Sequence, residues 1–254
     1  MRNHFFMPWF GNKRREVEEI INNIHISKHI NIVCEPYCGT GSFSFYISSL
    51  YPNKYIYLLN DNDQKLIELY TVAQNGESLQ KLQDEVNELI TDMDKTKYNE
   101  IVKNKDSLAS YLIRRKIYNR FPGLFPIDNR TVPKTINLID CPIVNFLRTE
   151  NVTFSCGDGL EFYKSHCDNK NTMIFLDPPY LDSCNTMYSD NCNTNIYDYL
   201  FKNSIRKNKA YIVLCLENNW IIKLLFKNYK IHTYDKRYEL SKKKTSHMIA
   251  TNKK

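Results

Sequence analysis

Asn171-Thr172-Met173-Ile174-Phe175-Leu176-Asp177-Pro178-Pro179-Tyr180 changes character within one residue: an apolar run halts at a carboxylate followed by two prolines and an aromatic ring. Met173 to Leu176 is short, partly β-branched and aromatic, so a buried strand is expected with Asp177 at its end. Proline fixes its own φ, lacks an N–H and pushes the preceding residue toward extended conformations. Asp177-Pro178-Pro179 therefore reads as a stiff turn that sets a carboxylate beside the Pro178 carbonyl. A proline-rich turn that merely ends a strand has the same local pattern, so the neighbouring segments must decide.

Toward the amino terminus, Asn31 to Glu35 reads as a strand, Pro36-Tyr37-Cys38-Gly39-Thr40-Gly41-Ser42 as a loop, and Phe43 to Leu50 as a helix. Glycines at such a turn let a ligand approach the backbone closely. Tyr55 to Leu59 is a second strand, ending at Asn60-Asp61-Asn62-Asp63. Asp61 lies about twenty residues past the glycine turn, the offset at which a carboxylate on the next strand reaches ribose hydroxyls. A dinucleotide pattern would close with a third small residue against pyrophosphate, and here the run is Gly39-Thr40-Gly41-Ser42-Phe43-Ser44. A ligand with adenosine and no phosphate fits better.

Toward the carboxyl terminus, Val152 to Cys156 is a strand ending at Gly157-Asp158-Gly159, Ala210 to Leu216 is another, and Trp220 to Phe226 a helix. Ile231 to Tyr238 and Met248 to Thr251 read as a closing antiparallel pair, with Lys242, Lys243 and Lys244 at an exposed tip. Glu35, Asp61, Asp158 and Asp177 thus fall at four strand ends, along the carboxyl edge where an open α/β sheet places its ligands. An exocyclic amine on a flat base matches Asp177 and the Pro178 carbonyl with its two N–H donors, and Tyr180 supplies a ring for stacking. Two acceptors favour a pyramidal nitrogen whose lone pair meets an electrophile, and the carboxylate stabilises the positive charge that follows.

Between about Gly76 and Asp140 the strand–helix alternation breaks. Leu79, Leu82, Val86, Leu89 and Ile90 form a helical stripe, and a helix from Leu108 to Arg120 carries Arg114, Arg115 and Lys116. A helical insertion over 76–137 is expected to grip a duplex, with 1–75 and 138–254 forming the sheet domain. Net charge is +7. Residues 198–254 hold fourteen Lys or Arg against four Asp or Glu, so the cationic surface comes from two separated segments and suits a polyanion. Eight cysteines with no Cys-x-x-Cys pair indicate neither a disulfide framework nor a zinc site. His25 and His29 lie four apart on an expected helix without a third ligand, and no metal is expected. No secretory leader and no bilayer-length apolar run is read, so a soluble, intracellular protein is expected. The polar stretch Ser183 to Asn195 reads as a mobile loop beside the site.

Taken jointly these motifs resemble the Dam family, the α-group of DNA adenine-N6 methyltransferases, over almost the whole chain. Trp9-Phe10-Gly11-Asn12-Lys13 resembles the family's Lys-Trp-Ala-Gly-Gly-Lys motif, Glu35 to Ser42 its Glu-Pro-Phe-x-Gly-x-Gly-Ser loop, and Asp177-Pro178-Pro179-Tyr180 its catalytic tetrapeptide. The resemblance implies a Rossmann-like S-adenosylmethionine-dependent methyltransferase sheet with a helical target-recognition insertion, acting on adenine flipped out of double-stranded DNA. It implies that Trp9 and Lys13 line the cofactor and target pocket and that Glu35, Pro36, Gly39 and Gly41 shape the cofactor loop. Asp61 would hold the ribose and Asp158 would sit near the cofactor's adenine. Tyr118-Asn119 matches the family's Tyr-Asn, in which the tyrosine wedges into the base stack. Arg115, Lys116, Arg130 and the lysine tip are expected on DNA, bound by a monomer or weak homodimer, as in enzymes of the restriction-modification type.

Two departures bear on specificity. Members that read GATC have a lysine where this chain has Pro8, and a guanine-contacting arginine aligns with Gly123. Losing a bidentate guanine contact removes about 1–3 kcal/mol of discrimination, so a recognition sequence other than GATC is expected. The competing readings are a cytosine-N4 or RNA-adenine methyltransferase and a DNA-binding relative without activity. A nicotinamide dehydrogenase has no use for Asp-Pro-Pro-Tyr or for a lysine-rich tail.

Overall fold

The computed structural model describes residues 5–9, 11–116, 133–180, 195–203, 207–227, 229–237 and 244–252, with the backbone alone at Lys116, Arg237 and Lys244. Tyr118, Asn119, Gly123, Arg130, Lys242, Lys243 and the stretch 183–194 lie outside the described residues. In chain order the elements begin α1 (Val17–Asn22), β1 (Ile32–Glu35), α2 (Ser42–Leu50), β2 (Ile56–Asp61), α3 (Gln64–Gln74), α4 (Gly76–Ile90), α5 (Lys95–Lys103), α6 (Leu108–Lys116) and α7 (Ile143–Leu147). They continue β3 (Val152–Cys156), α8 (Gly159–His166), β4 (Thr172–Leu176), α9 (Asn195–Lys202), β5 (Tyr211–Glu217), α10 (Trp220–Leu225), β6 (Lys230–Arg237) and β7 (Lys244–Thr251). The chain divides into a helical unit, Met1–Trp9 with Asp63–Glu150, and a sheet unit, Phe10–Asn62 with Asn151–Lys254.

The sheet unit carries seven strands in the order β3-β2-β1-β4-β5-β7-β6. β3, β2, β1, β4 and β5 run parallel, and β7 pairs antiparallel with both β5 and β6. A mostly parallel sheet closed by an antiparallel hairpin is the Rossmann-like methyltransferase arrangement. The chain leaves β1 toward β2 and β3, then crosses back to β4 and β5, so β1 and β4 meet at the point where strand order reverses. Such a switch point opens a crevice at the carboxyl ends of the two strands.

β4 is buried at every residue, as its apolar run requires. Alternation sends Ile174 and Leu176 into one core layer with Tyr163 of α8 and Ile196 and Leu200 of α9. On the opposite face Phe175 stacks on Phe43 of α2, with ring centroids 4.0 Å apart and planes 5° apart. Burying side chains of this size contributes about 1.5–3 kcal/mol each, which holds the end of β4 rigid.

In the helical unit, α4 buries Leu79, Leu82, Val86 and Ile90 of the expected stripe and leaves Leu89 partly exposed. Gln83 accepts from the Leu138 amide at 2.7 Å and Asn87 exchanges bonds with Ile136, so one helix face also holds the strand-less segment that leads to α7. Asp63 caps α3 by accepting from the Lys65 and Leu66 amides. The unit takes in α3 and α7 as well as the expected insertion.

One expectation is corrected. His25 and His29 are not helical: α1 ends at Asn22, and the Asn23 side chain donates to the Glu19 carbonyl, ending the helix before either histidine. Among the described residues no cluster of three His, Cys, Asp or Glu side chains could hold a metal ion. Among them no helix is long and apolar enough to cross a membrane.

Glu35, the last residue of β1, is 2% exposed and accepts from the Ser44 amide at 2.8 Å, which fastens the strand end to the first turn of α2. Burial raises its pKa from 4.5 to about 7, against the Ser44 bond that favours the anion. A raised acid favours folding in its protonated form. Stability from Glu35 is therefore full below pH 4.5 and lost as pH rises through 7, by roughly 3 kcal/mol at 1.36 kcal/mol per unit. Urea unfolding at pH 5 and pH 8 should show that loss in the wild type, and Glu35→Gln should flatten it.

Candidate active site

The carboxyl edge of the sheet gathers the acids that the sequence places at strand ends. Glu35 closes β1, Asp61 closes β2, Asp177 follows β4 directly and Asp158 stands two residues past β3. Their environments differ. Glu35 is turned inward, as above. Asp61 accepts from the Gly39 amide at 2.8 Å, so the acid on β2 and the glycine loop after β1 are one assembly. Asp158 caps α8 by accepting from the Leu160 and Glu161 amides and is itself exposed.

The glycine loop is built on conformations that side chains resist. Gly39 and Gly41 have φ of 47° and 58°, in the left-handed region. Asn60, buried beside Asp61, ties the edge together: its amide donates to the carbonyls of Pro36 and Gly157, both at 3.0 Å, and its side-chain oxygen accepts from Ser155 at 2.9 Å. Asn12 does the same for the amino-terminal motif, accepting from the Ser42 hydroxyl and the Arg14 amide, each at 2.7 Å. Sequence reading passed over both residues. The Asn60-Asp61-Asn62-Asp63 run pointed at the acid and hid the amide beside it.

At the end of β4, Asp177 is 16% exposed and its Oδ2 lies 2.6 Å from Lys13 Nζ, which is 4% exposed. Lys13 also donates to the Gly11 carbonyl at 3.1 Å and lies 5.1 Å from the centre of the Tyr180 ring. Burial raises the Asp177 pKa above the ordinary range, and Lys13 is the main influence pulling it back. Burial also works against the Lys13 charge, but Asp177 and Glu16 more than offset it and hold the ammonium above its usual value. Lys13 is thus the nearest cation to a carboxylate whose ionisation burial opposes. Pro178 is buried, and the Pro179 carbonyl accepts from the Tyr197 hydroxyl at 2.9 Å, which pins the tetrapeptide from behind.

Four further polar groups, three of them buried and Lys236 nearly so, reach the same edge, and none was expected. Because β7 runs antiparallel, its first residues return to where the parallel strands end: His247 pairs with Glu217, the last residue of β5, and with Tyr234 on β6. Glu16, just before α1, is 4% exposed and carries the Lys236 ammonium on Oε1 at 2.5 Å and the Tyr234 hydroxyl on Oε2 at 2.8 Å. Burial opposes the Glu16 anion, but Lys13, Lys236 and His247 lower its pKa. His247 Nδ1 lies 3.2 Å from the Tyr180 hydroxyl and 3.4 Å from Glu16 Oε2. Burial, helped by Lys236 and Lys13 and opposed by Glu16, lowers the imidazole to about 4 and keeps it neutral at physiological pH.

Of the remaining expected residues, Trp9, Arg115 and Lys116 lie in the helical unit and Lys244 in the sheet unit. Trp9 faces the Arg115 guanidinium at 4.3 Å and Phe5 edge-on at 6.3 Å. Arg115 is also paired with Asp63 at 3.0 Å and stacked on Tyr111 at 4.8 Å. Its charge is thus engaged inside the unit. Lys116 is the last residue of α6, and Lys244 the first of β7.

The edge suits a ligand with adenosine and no phosphate. Asp61 offers a carboxylate to hydroxyls, and the glycine loop offers backbone without side chains. At Gly159 a Cβ would overlap the Tyr37 ring and come 2.9 Å from the Pro36 carbonyl, so ring, carbonyl and helix start are nested with no atom to spare.

The family model for the D12 class N6 adenine-specific DNA methyltransferases matches residues 9–147. The matched span includes the amino-terminal motif, the glycine loop and Asp61, and ends before the tetrapeptide. No curated protein matches the chain. Solved structures that match include the rRNA methyltransferase aviRa from Streptomyces viridochromogenes, 12% identical over 96% of this chain and 86% of that one, with a TM-score of 0.43.

Proposed function

The chain belongs to the D12 class N6 adenine-specific DNA methyltransferases, and from that membership we propose that it is a Dam-type enzyme using S-adenosylmethionine to methylate adenine flipped out of duplex DNA. The observation that carries the mechanism is the Asp177 carboxylate, 16% exposed and paired with Lys13 at 2.6 Å, at the switch point of the sheet. Asp177 accepts one N6–H and the Pro178 carbonyl the other. Together they draw electron density onto a nitrogen whose lone pair is otherwise delocalised into the purine. Tyr180 stacks on the base. The bound cofactor supplies a methyl carbon activated by a positively charged sulfur. As N6 forms its new bond it becomes cationic, and Asp177 faces that charge without reorganising, an effect worth about 2.7–4 kcal/mol. No covalent link between base and protein is required.

Asp61 holds the ribose hydroxyls, the Gly39–Gly41 loop lines the amino-acid portion, and Tyr37, Asp158 and Gly159 border the adenine. Gly159→Ala should displace the Tyr37 ring or Pro36 and weaken binding of S-adenosylmethionine roughly tenfold or more, one lost contact of about 1.4 kcal/mol, read by calorimetry. Its thermal stability should fall by much less than that of Lys13 variants.

The helical unit, with the insert 76–137 at its centre, serves as the target-recognition part. Lys116, Tyr118, Asn119, Arg130 and the Lys242–Lys244 tip supply contacts that offset the few kcal/mol of base flipping. With proline at position 8 and glycine at 123, the site read is not GATC. Single-molecule sequencing of mixed unmethylated DNA exposed to the purified protein should find methylated adenines in another sequence. Modification confined to GATC would contradict this specificity.

A further inference from the structure

We propose that His247 is a positioning residue for the methyl transfer, fixing the plane of Tyr180 by accepting a hydrogen bond from its hydroxyl on Nδ1. The inference rests on the reading of Tyr180 as the platform for the target base. Tyr180 is the one member of the tetrapeptide whose ring can turn about its own χ angles, so its usefulness depends on what holds its far end. Two groups of the sheet unit meet it. Lys13 sits over the ring face, His247 meets the ring edge-on with centroids 5.3 Å apart and planes 71° apart, and His247 Nδ1 lies 3.2 Å from the hydroxyl.

The tautomer follows from the neighbours. Nδ1 lies closer to the Tyr180 hydroxyl than to Glu16 Oε2, and Glu16 already has the Tyr234 hydroxyl and the Lys236 ammonium. A bare Nδ1 is therefore the acceptor that the tyrosine O–H needs, and the imidazole proton sits on Nε2. Glu16 and Lys236 neutralise each other beneath it, so the ring is flanked by a balanced pair rather than a lone charge. Nothing in this arrangement touches the reacting atoms. His247 acts through Tyr180, and the hairpin of β6 and β7 brings it there.

A double-mutant cycle on single-turnover methylation, at saturating S-adenosylmethionine and equal cofactor affinity, tests this. Tyr180→Phe and His247→Leu should each slow methyl transfer roughly tenfold, the scale of one hydrogen bond between buried partners. The double variant should be no slower than the slower single one, and His247→Asn, which keeps an acceptor near the Nδ1 position, should recover most of the loss. Multiplied effects in the double variant, or Tyr180→Phe at the wild-type rate, would overturn the proposal. Tyr180→Phe decides even if His247→Leu does not fold. Absence of adenine methylation by the wild-type protein would instead contradict the assigned reaction and is seen before any variant is made.

Discussion

Asp177→Asn should lower the methyl-transfer rate by about 10²–10³-fold while leaving the affinity for S-adenosylmethionine within a factor of about three, the loss expected when one preorganised charge contact is removed. The amide keeps the size and one acceptor of the carboxylate, so the tetrapeptide retains its shape. What disappears is the negative charge facing N6 as that nitrogen turns cationic. The loss therefore falls on the chemical step rather than on binding. The substitution also leaves Lys13, 4% exposed, without its anion, so some stability is lost as well. Asparagine is preferred to alanine because its oxygen can still accept from the ammonium. Rapid-quench measurement of one turnover, with a thermal melt and a cofactor titration on the same preparation, separates the two effects. A rate within a few-fold of the wild type would remove Asp177 from the mechanism.

Lys13→Met should cost about 3–5 kcal/mol of stability, because a largely buried carboxylate loses the cation paired with it. The same change has a signature in the pH dependence. Burial raises the Asp177 pKa and Lys13 is its principal counterweight, so in the variant the carboxyl pKa rises further. At neutral pH more of Asp177 is then protonated, and the protonated acid is not an anion for N6. Relative to the wild type, Lys13→Met should lose most activity near pH 7 and progressively less as pH rises. An equal loss at every pH would mean that Lys13 contributes only packing or substrate contact.

How much of this was legible in the residues themselves varies with how local the cause is. The end of β4 could be read because two prolines after a β-branched and aromatic run leave the backbone one outcome, and Asp177 sits one residue beyond the strand. Asp61 could be placed by its offset from the glycine loop, since a short crossover helix fixes the distance between neighbouring strand ends. Gly159 was visible only as half of a turn. That its missing side chain leaves room for the Tyr37 ring depends on residues more than a hundred positions away. The hairpin shows the limit most plainly. β6 and β7 were legible as an antiparallel pair, but Glu16 meets Tyr234 across 218 positions and Tyr180 meets His247 across 67. No periodicity links them. The one local hint, a histidine between Ser246 and Met248 where the strand turns from polar to apolar, has the same pattern as a surface residue.

Arg115 makes the complementary point. A basic triplet on a helix reads as a phosphate grip, yet charge alone cannot tell a solvated arginine from one enclosed by Trp9, Tyr111 and Asp63. The aromatic residues that hold it come from the amino terminus and from the preceding turn of α6.

The most direct test of the central claim is the identity of the modified nucleoside. Unmethylated duplex DNA is incubated with the purified protein and methyl-labelled S-adenosylmethionine, digested, and resolved by mass spectrometry, with Asp177→Asn in parallel. The label should appear in N6-methyladenine with the wild type and fall to background over the same interval with the variant. Label found only in N4-methylcytosine, or undiminished in adenine with the variant, would contradict the account.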